Sequence, residues 1–160
     1  MGKRSIKENK NIYQLSREEM ELTREQAAEK MMYISADRIE KIESEKSIPH
    51  PEEVLTMGEA YEKPELWNYF CTHECPIGQI HVPVIEMKQL PQITLELLNA
   101  MNMLEIERDR LVEITVDGKI TQDERKDFAK ISQELDRISG AVSEMKLWVD
   151  KAMIDGSFEG

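Results

Sequence analysis

The sequence predicts an all-α fold, and three features of the chain lead to this prediction. Apolar residues recur three and four positions apart through most of its length. Prolines and an Asp-Gly pair interrupt this spacing, as is typical of helix ends. Aromatic residues make up only 6% of the chain while ten of its 160 residues are Met, a composition that suits packing between helices. The predicted order is five short helices, a linker and a long antiparallel helical hairpin.

The N-terminal 20 residues divide into an arm and a helix. Residues 1–10 are polar, have no apolar period and are predicted to be a disordered arm. The basic residues of this arm are Lys3, Arg4, Lys7 and Lys10. The first helix is predicted over about residues 11–20, from Ile12, Leu15 and Met20.

The stretch after this helix is predicted to form two short helices joined by a tight turn. Thr23 is an N-cap, and Gln26 three residues later completes a capping box. Ser35 is the N-cap of the next helix, on which Ile39 and Ile42 share one face. The first of the two helices carries a small apolar face, made of Ala27, Ala28 and Met31. Such small residues let the second helix cross closely, as a helix-turn-helix requires.

Prolines separate the fourth and fifth helices. Pro49 and Pro51 exclude helix immediately after Ser47, so this segment is a loop. Pro51 suits the first position of the fourth helix. The buried side of that helix is predicted to consist of Val54, Leu55, Met57 and Tyr61. Pro64 ends the fourth helix and opens a fifth, which runs through Phe70.

This order and the residues themselves resemble the Cro/repressor-type helix-turn-helix family, also called the xenobiotic-response-element (XRE) family. The resemblance covers about residues 11–70. It depends on LTREQAAEKM in the second helix, ISADRIEKIESEK in the third, and the Pro-x-Pro loop followed by PEEVLTMGEAY. The continuation PELWNYFCTHECPIG resembles a Firmicutes branch of the family in which a Cys-Pro-Ile-Gly segment follows the fifth helix. The resemblance implies a DNA-binding domain over residues 11–72.

The resemblance, carried over position by position, implies that eight residues contact DNA. They are Arg24, Ser44 and Lys46 at phosphates, Ala36, Asp37, Arg38 and Lys41 at base edges, and Ser35 at the start of the reading helix. The chemistry is suitable, because Arg and Lys donate to guanine and helix N-termini favour phosphate. The chain departs from the family pattern at three points. Asp37 and Glu40 make the reading helix locally acidic, Glu45 stands where the family has Gly in a positive-φ turn, and one residue is extra near Met32-Tyr33.

The segment after the fifth helix contains four side chains of the types that bind zinc. Cys71 and Cys75 share a helix face, but His73 lies on another side, and the spacing up to His81 is not that of a zinc knuckle. The favoured interpretation is reduced cysteines packed at the end of the helix. No metal and no cofactor are therefore predicted, and residues 73–89 are predicted to be a linker.

Residues 90–154 are predicted to form the helical hairpin, with a disordered tail over residues 155–160. Pro91 opens a helix that runs to Thr115, and Asp117-Gly118 interrupts it. The second helix carries an unbroken heptad seam of Phe128, Ile131, Leu135, Ile138, Val142, Met145 and Val149. Two helices leave apolar residues beside this seam unburied, so the hairpin is predicted to mediate homodimerisation. The alternative is a hairpin that folds back on its own N-terminal domain.

The turn of the hairpin overlays an EF-hand calcium loop at Asp117, Gly118 and Glu124. Glu113 and Thr115 occupy ligand positions that favour Asp or Asn. A helix-hairpin turn with a capping box at Thr121 accounts for the same residues, so no calcium site is predicted.

The net charge of −11 is distributed unevenly. Residues 1–50 carry ten Lys/Arg and ten Asp/Glu, whereas residues 51–160 carry eleven and twenty-two. Phosphate contacts dominate affinity for nucleic acid, so an acidic chain is a poor general binder. Contacts with double-stranded DNA are therefore expected only from the N-terminal third.

Together these features predict a sequence-specific DNA-binding transcriptional regulator that acts as a homodimer. The alternative is an interaction adaptor that does not bind DNA and recruits a protein partner through the acidic C-terminal hairpin. No signal peptide or membrane-spanning run is visible, so a cytoplasmic protein is predicted. The three histidines have no neighbouring nucleophile and orienting acid, and no Gly-rich phosphate loop is present, so no enzymatic activity is expected.

Overall fold

The computed structural model describes residues 9–157, and every regular element among them is an α-helix. The helices are α1 (Ile12–Glu19), α2 (Arg24–Met31), α3 (Ala36–Glu43), α4 (Pro51–Ala60), α5 (Glu65–His73), α6 (Gly78–His81), α7 (Leu90–Thr115) and α8 (Arg125–Ile154). This confirms the predicted all-α fold, and a sixth short helix, α6, lies between the five predicted short helices and the long hairpin. The chain divides into two compact units: one contains the described residues up to Val84 together with Asp150–Ser157, and the other is Ile85–Val149.

The first unit packs α1 to α5 around one apolar core. Its fully buried members include Ala27, Met31, Ile39 and Ile42 from α2 and α3. The remaining buried residues are Tyr13, Ile34, Val54, Met57, Ala60, Tyr61 and Leu66. Leu55, which was predicted to be buried, is 52% exposed, and Leu15 of α1 is 46% exposed. Tyr13 takes the core position on α1 because helical spacing turns Leu15 to the outside.

The helix starts follow the predicted capping residues. Thr23 accepts a hydrogen bond from the Gln26 amide, and the Gln26 side chain accepts one from the Thr23 amide, so the capping box is formed. Ser35 caps α3, and Pro51 is the first residue of α4.

Three of the short helices end in the same way, with Glu in a left-handed conformation. Glu21, Glu45 and Glu62 have φ of 56°, 60° and 54°. At the end of α3 the Lys46 amide donates to the Lys41 carbonyl at 2.9 Å and the Glu45 amide donates to Ile42 at 3.0 Å. These are the bonds of a Schellman motif, in which Gly ordinarily occupies the left-handed position.

Part of the segment predicted as a linker is helical and belongs to the first unit. Residues 78–81 form α6, and the Asn68 side chain donates to the Pro83 carbonyl at 2.9 Å. Gly78 lies against the end of α5: a Cβ there would be 2.1 Å from the Cys71 carbonyl oxygen. Only glycine therefore fits this contact without movement of the backbone.

The second unit contains α7 and most of α8, which run antiparallel. Arg110 donates to Asp127 at 2.8 Å and Lys130 pairs with Glu107, so residues whose numbers sum to about 237 lie side by side. This agrees with the register expected from a turn near residue 118, where Gly118 has φ of 71°.

The heptad seam is buried unevenly within the hairpin. Ile131 is fully buried, whereas Leu135 is 42% exposed and Val142 is 37% exposed. Buried positions between them are instead filled by Glu134 and Ala141. The seam therefore contributes to two surfaces, one inside the hairpin and one outside.

The predicted disordered termini fall largely outside the described residues. Residues 1–8, with Lys3, Arg4 and Lys7, are not described, and neither are residues 158–160. Lys10 is described and forms an ion pair with Glu18 at 2.5 Å.

Candidate nucleic-acid interface

α3 buries one side in the core and presents the other to solvent. Ile39, Ile42 and Glu43 are buried, whereas the side chains of Asp37 and Lys41 are 72% and 49% exposed. The Ser35 hydroxyl accepts a hydrogen bond from the Arg38 amide at 3.2 Å and so fixes the first turn of the helix. The outward side is therefore a stable helical surface of the size that a DNA major groove admits.

The exposed lysines of this surface pair with neighbouring carboxylates. Lys41 lies 2.7 Å from Asp37, one turn earlier on α3, and Lys46 lies 3.1 Å from Glu40. The hydrogen bond from Lys41 also lowers the pKa of Asp37. Both pairs are largely solvent-exposed, and exposed pairs of this kind contribute little energy. DNA phosphate or a base can therefore compete for either lysine at small cost.

The Arg38 side chain is held by contacts with other residues of its own domain. Its guanidinium forms two hydrogen bonds to the Glu53 carboxylate, both at 2.7 Å, and others to the Ser47 hydroxyl and the Ile48 carbonyl. The hydrogen bond from Arg38 lowers the pKa of Glu53. These contacts join α3 to the following loop and to α4. Base reading by Arg38 stays a prediction, and it would require the guanidinium to leave these partners.

Arg24 lies at the start of α2 and belongs to a buried charge cluster. Its Nε donates to Glu43 at 2.8 Å, and Arg17 contacts the same carboxylate with hydrogen bonds of 2.6 and 2.9 Å. The Glu43 side chain is only 1% exposed, whereas that of Arg24 is 34% exposed. Arg24 is thus partly available to a phosphate while Glu43 fixes its position.

The remaining predicted contacts lie at the two ends of α3. Ala36 is half-buried in the first turn, and Ser44 is the C-cap with its hydroxyl 3.4 Å from the Lys41 carbonyl. Glu45 follows in the left-handed conformation and is exposed. The predicted residues thus lie at the start of α2, on α3 and in the turn after α3, with the Arg38 side chain held by Glu53. Their action on DNA stays a prediction.

The extra residue expected near Met32-Tyr33 falls in the turn between α2 and α3. Met32 has φ of 62° and is 89% exposed, and Tyr33 is 71% exposed. The Tyr33 hydroxyl is hydrogen-bonded to Thr56 of α4. An extra residue relative to the family pattern stays a prediction, and both side chains of this turn are largely exposed.

Two carboxylates that organise this surface were not identified from the sequence. Glu43 and Glu53 lie 26 and 15 residues from their principal arginine partners, Arg17 and Arg38. No local spacing rule connects residues so far apart, and only the packing of α1 and α4 against α3 brings them together.

The other candidate sites have structural explanations in the described part of the chain. Cys71 and Cys75 are free thiols, and burial raises the pKa of Cys71. In the hairpin turn, Asp117 accepts from the Lys119 amide and Glu124 accepts from Thr121. Within residues 9–157, no three His, Cys, Asp or Glu side chains are grouped closely enough to hold a metal ion.

None of the helices in the described chain combines the length and the apolar character needed to cross a bilayer.

Comparison with known families agrees with the geometry of the N-terminal domain. Residues 15–68 match the model of the helix-turn-helix family, and this range takes in most of α1 and all of α2, α3 and α4. The N-terminal domain is therefore similar to the helix-turn-helix family, which supports the resemblance to the Cro/repressor type seen in its sequence.

A second match extends over both units. Residues 52–155 match the model of the SseK/NleB family, a weak similarity that overlaps the helix-turn-helix match at residues 52–68. No curated protein and no solved structure matches the chain.

Proposed function

We propose that this chain is a transcriptional regulator that binds a specific DNA sequence as a homodimer, acting by binding rather than by catalysis. The observation that carries the proposal is the outward surface of α3, with Asp37 and Lys41 exposed, in a domain that matches the helix-turn-helix family. α3 is the reading helix, and the start of α2 and the residues after α3 contact the DNA backbone.

The acidic chain makes dimerisation part of this proposal. Each domain offers few cations, and Lys41 and Lys46 are each paired with a carboxylate. Binding energy from one domain is therefore small, since phosphate contacts supply most of it. A dimer places two reading helices on one duplex and makes the second contact effectively intramolecular.

The direct test is selection of binding sites from random duplex DNA with the purified full chain, followed by affinity measurements. Lys41→Gln is expected to weaken binding to the selected sequence by about tenfold, because a base contact contributes on the order of 1–3 kcal/mol. Asp37→Asn is expected to raise affinity for unrelated DNA, because it removes a negative charge from the surface. Lys119→Gln, in the hairpin turn, is the matched control and should bind like wild type.

If Lys41→Gln still distinguishes the selected sequence from unrelated DNA as well as wild type does, Lys41 does not read bases. Arg38 is a poorer test residue, because its substitution also removes the contacts with Glu53 that hold the domain together.

A second candidate function is an adaptor that keeps the helix-turn-helix fold and binds a protein. The observation that favours it is that Arg24, Arg38, Lys41 and Lys46 each contact a carboxylate of the same domain. Failure to enrich any sequence at low salt would favour the adaptor over the regulator.

A further inference from the structure

Asp37 and Lys41 form the part of α3 that lies farthest from the core of the domain. The buried residues of the helix are Ile39, Ile42 and Glu43, which follow Asp37 by two, five and six positions. At about 100° per residue they lie about 200°, 140° and 240° around the helix from Asp37, whereas Lys41 lies only about 40° from it. Asp37 and Lys41 are therefore opposite the core, on the side that would enter a groove deepest. Asp37 is also in the first turn of α3, and the N-terminal residues of a reading helix are those that meet base edges.

The side chains of Asp37 and Lys41 hold each other in position. The Lys41 Nζ lies 2.7 Å from a carboxylate oxygen of Asp37. The hydrogen bond from Lys41 lowers the pKa of Asp37, so this carboxyl group is ionised at neutral pH and has only acceptor oxygens. The ammonium group of Lys41 has three N–H donors, and the contact with Asp37 uses one of them. The pair therefore presents an acceptor and a donor side by side.

The major-groove edge of a G·C base pair has the complementary arrangement. Cytosine N4 is a donor and guanine O6 is an acceptor, and they are hydrogen-bonded to each other at about 2.9 Å. Against this edge the two side chains complete a ring of four hydrogen bonds. Lys41 donates to guanine O6, O6 accepts from cytosine N4, N4 donates to Asp37, and Asp37 accepts from Lys41. The ion pair therefore does not have to break when the base pair is bound.

An A·T base pair fits the same two side chains less well. Adenine N6 and thymine O4 are also a donor and an acceptor side by side, but adenine N7 is a second acceptor beside N6 and would face the Asp37 carboxylate. The neighbour of Lys41 would be the thymine methyl group, which is not an acceptor. In the G·C pair, by contrast, guanine N7 is a second acceptor for Lys41, and cytosine has no acceptor beside N4 in this groove. The charges of the two side chains therefore favour G·C over A·T.

We infer that Asp37 and Lys41 act as one unit that reads a single G·C base pair, with guanine bound by Lys41 and cytosine bound by Asp37. The assignment rests on the proposed function and names the base pair that the reading helix selects. It also gives a role in recognition to an acidic residue that would otherwise only repel phosphate.

The test compares binding sites selected from random duplex DNA by the purified full chain and by Asp37→Ala. The variant is expected to lose the preference for G·C at one position of the selected sequence. A methyl group on cytosine N4 at that position replaces the hydrogen that faces the groove, so it should weaken wild-type binding on the order of tenfold. The same methyl group should weaken binding of Asp37→Ala by less than about twofold, because the acceptor is already missing.

Two further variants complete the comparison. Glu40→Ala is the matched control, because Glu40 is a neighbouring acid of α3 that is 36% exposed and pairs with Lys46. It should respond to the methyl group as wild type does. Lys41→Gln should lose the response to a guanine that has carbon in place of N7, which weakens wild-type binding severalfold. The Asp37 and Lys41 side chains are 72% and 49% exposed, so the helical circular dichroism of the variants should be unchanged.

The possible outcomes separate the base assignment from the proposed function. If wild type enriches no sequence at low salt, both are overturned. If a sequence is enriched but Asp37→Ala keeps every G·C preference, or responds to the methyl group as wild type does, only the assignment to Asp37 and Lys41 is overturned. Loss of the methyl response in Glu40→Ala would also overturn that assignment, because the acidity of the whole helix would then be responsible.

Discussion

Glu43 and Glu53 determine which cations of the reading surface are free to act. Glu43 is buried and holds Arg17 and Arg24, and Glu53 holds Arg38. Lys41 and Lys46 have only exposed partners. Release of an arginine from the buried Glu43 or the half-buried Glu53 costs more than release of a lysine from an exposed carboxylate. The proposed function therefore relies on the two lysines.

The Arg38–Glu53 pair should make stability depend on pH. The folded-state pKa of Glu53 lies below its value in the unfolded chain, so the pair stabilises the fold above that unfolded value, about 4.3. This stabilisation is lost as the pH falls through the folded-state pKa. Glu53→Gln is therefore expected to lower the free energy of unfolding by about 1 kcal/mol at pH 7 and by less below about pH 4.

Urea unfolding of wild type and Glu53→Gln measures this difference. The range from about pH 3 to about pH 7 includes the ordinary pKa of a Glu carboxyl. Glu52→Gln is the control, because Glu52 is the neighbouring exposed acid in the first turn of α4. A difference between wild type and Glu53→Gln that stays constant over the whole range would contradict the role given to the pair.

The short helix α6 is fixed to α5 through a glycine rather than through large apolar side chains. Ile77 and Ile80 are 72% and 78% exposed, whereas Gly78 is buried against the Cys71 carbonyl. The contact is between backbones, so no side-chain rotation can make room for a larger residue. This gives the Cys-Pro-Ile-Gly segment a structural reason for its glycine.

Two glycine substitutions should have opposite effects for this reason. Gly78→Ala is expected to lower the free energy of unfolding by about 1–3 kcal/mol, since its Cβ would overlap the Cys71 carbonyl. Gly140→Ala is the control inside α8, where no atom lies within 4 Å of the added Cβ, and it should raise stability by about 1 kcal/mol. Thermal or urea unfolding measures both changes in the free energy of unfolding. An unchanged free energy of unfolding in Gly78→Ala would show that α5 and α6 separate easily.

The elements were predictable where the signal is local. The capping box at Thr23, the proline at the start of α4 and the antiparallel register of α7 and α8 all follow from spacings within a few turns. The ends of α1, α3 and α4 carry no glycine signal, because Glu21, Glu45 and Glu62 occupy the left-handed position at which Gly would mark the end, and only α4 is followed closely by a proline, Pro64. α6 was missed for a similar reason, since a four-residue helix is too short to show a period.

The candidate site was predictable only in part. Family resemblance located the surface, and the capping role of Ser35 followed from its position. The partners of Arg17 and Arg38 depend on the packing of separate helices, so the sequence did not reveal that Arg38 is held by Glu53. The heptad pattern likewise identified the apolar residues of α8 but not which of them face α7 and which face outward.

For the chain as a whole, the charge distribution and the hairpin lead to one expectation. Residues 51–160 carry the whole net charge of −11 and repel DNA, so the proposed function requires two helix-turn-helix domains used together. Two domains related by a two-fold axis read two inverted half-sites, with centres about 34 Å or a multiple of it apart.

The measurement that tests this account most directly is the stoichiometry and symmetry of the complex with the DNA sequence selected by the full chain. Sequencing of the selected pool and sedimentation of the complex are made on the same sample. We expect an inverted repeat bound by two chains, with binding that weakens as salt rises. A selected motif without internal symmetry that is bound by a single chain, or the absence of any enriched motif at low salt, would contradict it.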